Sequence, residues 1–294
     1  KIAADQNVLY AREIFGHLGT VETYPGRKLS PEHLRDAEIL VCRSTRTIDA
    51  GLLEDTPVRF VGTATIGTDH LDKEYLRDRG IEFTNAAGSN ANSVAEYVAE
   101  ALLVMAKRAG RSLSGKRLGV VGCGNVGSRV VRKARALDME VVQNDPPLAR
   151  KTGDAAYRPL EEALQCDFVT MHVPLTREGR DATRHMVNRD FIGGMKQGAI
   201  FLNSSRGAVV DEVELVEALR SGELSAAVLD VWDGEPSINA TLLRLAEIGT
   251  PHIAGYSLDG KAAGTQMIYE AVCEFLDLEP VVTVRDLLPA PDVP

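Results

Sequence analysis

Apolar positions along the chain form two series of short runs, and each run is followed by a helix-compatible or polar stretch. Strands that alternate with helices in this way are typical of parallel α/β sheets. A helical pattern at residues 71–79 separates two runs of the first series. The sequence therefore predicts two α/β blocks. Their strands are predicted at residues 39–42, 58–62 and 81–84 and then at 117–121, 139–143, 168–172, 199–202 and 226–229.

One long amphipathic pattern, from Asn92 to Arg108, lies between the two blocks. Val94, Val98 and Leu102 recur at helical spacing, with charged residues around them. Since the 294 residues exceed the roughly 100–200 residues typical of one domain, we expect two domains with this helix near their boundary. A second helical pattern covers residues 264–278. The stretch from Glu279 predicts an extended or disordered end because it is rich in proline. Its prolines are Pro280, Pro289, Pro291 and Pro294.

Composition and charge narrow the range of partners. The formal charge of −9 disfavours nucleic acid or an anionic membrane, because both require a concentrated basic face. No apolar run approaches the roughly 20 residues of a membrane helix. A small anionic substrate stays compatible, since a few arginines can bind it. The four cysteines form no Cys-x-x-Cys pair and the histidines show no metal-ligand spacing, so we expect a reducing, cytoplasmic compartment and no metal.

A Gly-x-Gly-x-x-Gly sequence follows the predicted strand 117–121 and precedes a helix-compatible stretch. In a dinucleotide site the first glycine makes a tight turn, the second lets the backbone approach a pyrophosphate, and the third allows close packing of helix and strand. The first amides of the helix then face the phosphates. A glycine-rich turn without a ligand is the alternative. The candidate cofactor-binding residues are Gly122, Gly124, Asn125, Val126 and Gly127.

Asp145 ends the next predicted strand, at the distance expected for a carboxylate that binds the adenosine ribose hydroxyls. That carboxylate would repel a 2′-phosphate, and the nearest cations, Arg150 and Lys151, lie beyond two prolines. The sequence therefore predicts NAD, rather than NADP, as the cofactor.

Three residues in two later segments match the needs of 2-keto acid reduction, which are a cation for the carboxylate and a proton donor. Arg206 follows the predicted strand 199–202, and its planar guanidinium can bind a carboxylate through two bonds. His252 lies in a predicted loop, and Glu235 could stabilise its protonated ring and fix its orientation. Taken singly, a surface arginine and a solvated carboxylate are alternatives. Asp230, after the strand 226–229, could face the nicotinamide.

These segments occur in the order in which they occur in D-2-hydroxyacid dehydrogenases, and the chain resembles this family. The resemblance implies that Arg206 anchors the substrate, that His252 is the acid/base and that Glu235 is its partner. It adds Gly255 to the cofactor contacts. It also implies a Rossmann-type, doubly wound parallel-sheet domain for NAD and a smaller flavodoxin-like α/β substrate domain, with a cleft that closes by a hinge. The expected ranges are 88–256 for the cofactor domain and 1–87, completed by 257–294, for the substrate domain.

A narrower resemblance, carried by residues 61–70, 144–147 and 253–261, is to family members that oxidise 4-phospho-D-erythronate in pyridoxal phosphate biosynthesis. It implies that Ser44, Thr65 and Tyr256 contact the substrate. Arg43, Ser44 and Arg46 also cluster after the strand 39–42 and could bind the phosphate, or form an ordinary solvated loop. Such members continue into a further dimerisation domain, so a shorter relative and a piece of a longer chain both stay open.

Two alternatives share these residues. A reductase of glyoxylate, hydroxypyruvate or 3-phosphoglycerate would differ only in its substrate pocket. A dinucleotide-sensing scaffold that resembles the C-terminal-binding-protein corepressors would keep the same three residues, but its role would not require it to convert a substrate. The resemblance also implies a homodimer, for which the helix at 92–108 is the candidate contact.

Overall fold

The structure, a computed structural model, describes residues 1–290. The chain divides into two compact units. Unit 1 comprises Lys1–Asn90 together with the chain from Ser257 onward, and unit 2 comprises Ala91–Tyr256. Each unit has its own parallel sheet and its own buried core.

Unit 1 contains a five-stranded parallel sheet. Its elements up to residue 90 are β1 (Ile2–Asp5), α1 (Ala11–Phe15), β2 (Val21–Tyr24), β3 (Ile39–Cys42), α2 (Ala50–Leu53), β4 (Phe60–Thr63), α3 (Lys73–Asp78) and β5 (Glu82–Asn85). The strand order is β2-β1-β3-β4-β5, which is the flavodoxin-like order. Every residue of β1, β3 and β4 is buried, as expected of strands covered on both faces. The predicted flavodoxin-like fold is confirmed.

Unit 2 contains a six-stranded parallel sheet. Its elements are α4 (Ala91–Arg108), β6 (Arg117–Val121), α5 (Asn125–Ala136), β7 (Glu140–Asn144), α6 (Pro146–Thr152), α7 (Leu160–Leu164), β8 (Phe168–Met171), α8 (Arg189–Gly193), β9 (Ala199–Asn203), α9 (Glu212–Ser221), β10 (Leu224–Leu229), α10 (Ala240–Leu245) and β11 (Ile248–Gly249). The strand order is β11-β10-β9-β8-β6-β7. The chain starts at β6, moves outward to β7 and then returns to the other side of β6. This reversal defines the predicted doubly wound, Rossmann-type sheet and places a ligand crevice at the carboxyl ends of the strands.

The predicted start of the last helix at Gly264 is wrong, because the structure has α11 at Leu258–Phe275. Ser257 caps this helix, and its Oγ accepts the amide of Gly260 at 3.0 Å. The two glycines of the first turns interrupt the apolar pattern, yet a Cβ at Gly264 would lie only 3.1 Å from the Ala64 carbonyl oxygen. Close packing therefore favours glycine at position 264, although glycine has a low helix propensity.

The predicted extended or disordered end is also wrong for residues 284–287, which form a 3₁₀ helix. Val284 is buried, and its amide donates to Gln266 Oε1 at 2.8 Å. The Val281 amide donates to the Tyr269 hydroxyl at 2.8 Å. Apolar residues between the prolines therefore hold this segment against α11. The part of the prediction that concerns Pro291 and Pro294 lies outside the described residues.

Three further properties bear on function. Within residues 1–290 no helix combines the length and the apolar character needed to cross a membrane. In the same part of the chain no group of three acidic, histidine or cysteine side chains is placed to hold a metal ion. All four cysteines, Cys42, Cys123, Cys166 and Cys273, are unpaired and buried.

Candidate active site

The three predicted catalytic residues lie at the carboxyl edge of the unit 2 sheet. Arg206 follows β9, Glu235 follows β10, and His252 follows β11. These three strands are neighbours in the sheet. Because parallel strands all end at the same edge, the topology brings the three segments together although 46 positions separate Arg206 from His252 in the chain.

The Arg206 segment is shaped by Asn203, the last residue of β9. The Asn203 side-chain amide donates to the Arg206 carbonyl at 3.0 Å, and its Oδ1 accepts the Ser205 amide at 3.0 Å. Arg206 Nη1 donates to the Ser205 carbonyl at 2.8 Å. The buried side-chain amide of Asn203 therefore fixes the turn that carries Arg206, a half-buried residue.

Gly207 brings the Arg206 segment against the segment after β10. A Cβ built on Gly207 would lie 1.9 Å from the Trp232 carbonyl carbon and 2.3 Å from the Asp233 nitrogen. Only a residue without a side chain fits here. Trp232 is buried in the core of unit 2.

Glu235 joins the segment after β10 to His252, because its two carboxylate oxygens form separate bonds. Oε1 accepts the Trp232 amide at 2.8 Å, and Oε2 lies 2.8 Å from His252 Nδ1. Since a carboxylate only accepts, Nδ1 must carry the proton of this bond. Nε2 is then the nitrogen of His252 that can take up or release a proton. The predicted Glu235–His252 pairing is present.

Residues 250–254, called here the His252 loop, are held by Asp230. This aspartate is 1% exposed. Its carboxylate accepts the amides of Ile253 at 2.8 Å and Ala254 at 2.9 Å, and its backbone carbonyl accepts the His252 amide at 2.7 Å. His252 itself has φ +56°, a conformation that is uncommon for residues other than glycine. Asp230 therefore fixes a strained loop backbone, a role that the sequence did not predict. Its contact with the nicotinamide stays a prediction.

Sequence reasoning also missed two hydroxyl groups beside Asp230. Thr250 Oγ1 donates to Asp230 Oδ1 at 2.6 Å, and the Tyr97 hydroxyl lies 2.7 Å from Thr250 Oγ1. Tyr97 belongs to α4, where its position next to Val98 gives no sign of a role beyond the apolar helix face. The Thr-Pro-His sequence was the one signal for Thr250, since it placed a hydroxyl two residues before His252.

The glycine-rich loop follows β6 with the backbone that a dinucleotide needs. Gly122 has φ +87°, and a Cβ on Gly127 would lie 1.9 Å from the Gly122 carbonyl oxygen. By contrast, a Cβ on Gly124 would meet nothing within 4 Å, so this position borders open space. Within residues 1–290 the amides of Asn125, Val126 and Gly127 find no acceptor. Unused amides at a helix start fit an incoming pyrophosphate.

Asp145 lies at the end of β7 and accepts two backbone amides. Its Oδ1 takes the Leu148 amide at 2.9 Å and so caps α6, and its Oδ2 takes the Cys123 amide at 2.8 Å. A carboxylate has about four acceptor positions, so lone pairs remain for ribose hydroxyls. Arg150 forms an ion pair with Asp181 and is not available to balance a 2′-phosphate. This arrangement fits NAD.

The predicted substrate contacts are split between the two units. Ser44 is exposed after β3, and Thr65 lies two residues after β4, with its Oγ1 2.8 Å from Thr63 Oγ1. His70 Nε2 lies 3.1 Å from the same Thr63 hydroxyl, and burial lowers the pKa of His70. Tyr256 ends unit 2 with 66% of its surface exposed. Within unit 1, therefore, the structure brings Ser44 and Thr65 to the carboxyl edge of adjacent strands.

Together, the dinucleotide loop and the histidine–glutamate pair at one sheet edge define the class of NAD-dependent dehydrogenases. The model of the D-isomer specific 2-hydroxyacid dehydrogenase NAD-binding domain matches residues 86–254. The chain belongs to the D-isomer specific 2-hydroxyacid dehydrogenase family, and its cofactor is NAD.

Among its relatives is the erythronate-4-phosphate dehydrogenase of Salinibacter ruber, 49% identical over 94% of this chain and 72% of the relative. The enzyme of that name from Salmonella arizonae is 45% identical over 99% of this chain and 78% of the relative. Among solved structures, D-lactate dehydrogenase from Aquifex aeolicus, in complex with NAD and lactic acid, has a TM-score of 0.77 at 26% identity, over 94% of this chain and 96% of that one.

Proposed function

We propose that this chain oxidises 4-phospho-D-erythronate to the corresponding 2-oxo acid with NAD as hydride acceptor. The observation that carries the proposal is the 45–49% identity, over 94–99% of this chain, to relatives named erythronate-4-phosphate dehydrogenase. It is supported by the geometry of unit 2, in which Glu235 and His252 form a hydrogen-bonded pair. The same resemblance is our reason to propose a role in pyridoxal phosphate biosynthesis.

The four cysteines are unpaired and buried, which is typical of proteins from a reducing compartment. We therefore propose that the protein is located in the cytoplasm.

The chemical step assigns one task to each catalytic residue. Arg206 binds the substrate carboxylate through its guanidinium and orients C2. His252 Nε2 takes the proton of the C2 hydroxyl as the C=O bond forms, and Glu235 stabilises the imidazolium through Nδ1. When bound, NAD supplies the acceptor for the hydride that leaves C2. The hydroxyl proton and the hydride together account for the two hydrogens lost by the substrate.

The loop after β3 is proposed to supply the groups that bind the phosphate. Arg43 and Arg46 flank the exposed Ser44, and in the described part of the chain neither arginine forms an ion pair. Unpaired guanidinium groups bind phosphate oxygens well because their donors match phosphate geometry. Thr65 and Tyr256 remain proposed substrate contacts, and Gly255 a proposed cofactor contact.

We further propose that the active species is a homodimer formed through α4. Leu103 is 48% exposed and Val104 is 39% exposed, and both lie on α4. Burial of such side chains against a second copy would contribute favourable free energy. Gel filtration with light scattering at micromolar concentration tests this point, and a monomer would refute it.

The decisive experiment follows NADH absorbance with 4-phospho-D-erythronate, D-erythronate, 3-phospho-D-glycerate and D-glycerate as substrates. Glyoxylate and hydroxypyruvate are tested with NADH in the reverse direction. Selective turnover of 4-phospho-D-erythronate is the expected result. A higher kcat/KM for any other acid would favour a different dehydrogenase of the family. Binding of NADH without turnover of any acid would instead favour the sensing scaffold.

A further inference from the structure

We propose that Tyr97 and Thr250 are positioning residues for His252, and that they act by holding the Asp230 carboxylate against the backbone of the His252 loop. The inference deepens the proposed function and rests on it for its kinetic readout. It starts from a continuous chain of short hydrogen bonds, from Tyr97 to Thr250 at 2.7 Å and from Thr250 to Asp230 at 2.6 Å.

The direction of these bonds follows from counting protons. A carboxylate offers no proton, so the single hydroxyl proton of Thr250 goes to Asp230. Thr250 Oγ1 then has only lone pairs to offer Tyr97, and the Tyr97 phenol must be the donor. Burial raises the pKa of Tyr97, with the charge of Asp230 as a further cause, so this donor keeps its proton at neutral pH.

The series of hydrogen bonds ends at the backbone around His252. Asp230 accepts the amides of Ile253 and Ala254 through its carboxylate and that of His252 through its carbonyl. Three successive amides are thus tied to one residue. A left-handed conformation such as that of His252, with φ +56°, persists only where the surroundings over-determine it. The position of the Asp230 carboxylate therefore determines the position of the His252 imidazole.

The series of hydrogen bonds begins at Tyr97, which is anchored in the core of unit 2. Tyr97 lies on α4 and packs against a core cluster that includes Ala95 and Val98 of the same helix and Val130 of α5. Thr250 is held a second time, because the Trp232 indole donates to its carbonyl at 2.9 Å. The hydroxyl chain therefore ties the His252 loop to a rigid helix, and a small displacement of a catalytic group can cost a large part of the rate.

The test compares substitutions that remove one hydroxyl and little else. Thr250→Val removes the donor to Asp230, and we expect kcat to fall roughly ten- to a hundredfold. Thr250→Ser keeps the hydroxyl and should recover most of the wild-type kcat. Tyr97→Phe should lower kcat by about two- to tenfold, the equivalent of one hydrogen bond. Matched controls in unit 1 are Thr56→Val and Tyr75→Phe, which remove hydroxyls engaged in local bonds.

A second readout does not depend on the substrate. Hydrogen exchange should show faster exchange of the Ile253 and Ala254 amides in Thr250→Val, by roughly tenfold or more, and wild-type exchange in the two controls. If wild type turns over no phosphorylated acid but these amides lose protection, the proposed function fails and the positioning role stands. Wild-type kcat and amide protection in Thr250→Val would overturn the role. Equal losses of kcat in Thr250→Ser and Thr250→Val would also overturn it. Should Thr250→Val not fold, Tyr97→Phe decides by the same two measurements.

Discussion

The carboxyl edges of the two sheets differ in how firmly their polar side chains are held. At the unit 2 edge, buried Asn203 and Asp230 fix the segments that carry Arg206 and His252 through several bonds each. At the unit 1 edge, Ser44 is exposed on the loop that follows β3. A pre-organised edge suits chemistry that tolerates little displacement, whereas a loop can vary in sequence at small cost to the fold. We infer that unit 2 sets the reaction and that unit 1 sets the choice of acid.

The largest effect is expected at the unit 2 edge, from His252→Asn. Asparagine tolerates positive φ, so the fold should remain intact while proton transfer is lost. We expect kcat to fall by about 10²–10⁴-fold, the usual contribution of a general acid/base. Steady-state kinetics with NAD and 4-phospho-D-erythronate measures it. His185→Asn is the matched control because His185 also has positive φ, +50°. Retention of more than a tenth of kcat in His252→Asn would argue against the assignment.

Substitution of two glycines in the glycine-rich loop after β6 should affect stability at one position and cofactor binding at the other. A Cβ at Gly127 collides with the Gly122 carbonyl oxygen at 1.9 Å, whereas a Cβ at Gly124 meets open space. Gly127→Ala should therefore cost about 1–3 kcal/mol of unfolding free energy. Gly124→Ala should leave stability nearly unchanged but weaken NADH binding, because a methyl group would occupy the approach of the pyrophosphate. Urea unfolding and NADH fluorescence titration measure the two effects. Equal stability of the two variants would contradict the close approach.

Acid should affect the two sheet edges differently through two half-buried histidines, His172 and His70. Burial lowers the pKa of His172, after β8, to about 3, while at His70 in unit 1 burial lowers the pKa and the charge of Asp69 opposes the shift. The unfolded chain, with a histidine pKa near 6.5, binds the proton first. Stability is therefore full above pH 6.5 and falls as the pH drops, by up to about 2 kcal/mol at pH 5 for His172.

Urea unfolding at pH 7 and pH 5 tests this difference. His172→Gln should lose less stability between the two pH values than wild type does, and His70→Gln should differ less from wild type. An unchanged pH dependence in His172→Gln would show that its ring titrates normally in the folded protein.

Sequence patterns predicted five of the six strands of unit 2 and missed only the two-residue β11, because parallel strands with mostly buried side chains appear as apolar runs whatever surrounds them. They also indicated Arg206, Glu235 and His252 as candidates, since each lies just beyond such a strand or in a distinctive loop, and the catalytic roles of the three stay predictions. They failed where long-range packing outweighs local preference. Gly264 is favoured in α11 by the nearby Ala64 carbonyl, and the Tyr97–Thr250 bond joins residues 153 positions apart. Neither contact leaves a periodic signal.

The smallest effect is expected at the unit 1 edge, where Ser44→Ala should change affinity rather than chemistry. Loss of one hydrogen bond to a phosphate oxygen costs about 1 kcal/mol, so the KM for 4-phospho-D-erythronate should rise about fivefold with little change in kcat. The KM for NAD should not move. Arg43→Gln should have a larger effect of the same kind, because a charge-assisted bond is stronger. Arg35→Gln is the matched control, since Arg35 is exposed and lies near Glu32 in the same unit. If Ser44→Ala lowered kcat instead of raising KM, the unit 1 edge would take part in the chemical step, and the division of roles between the two sheets would have to be abandoned.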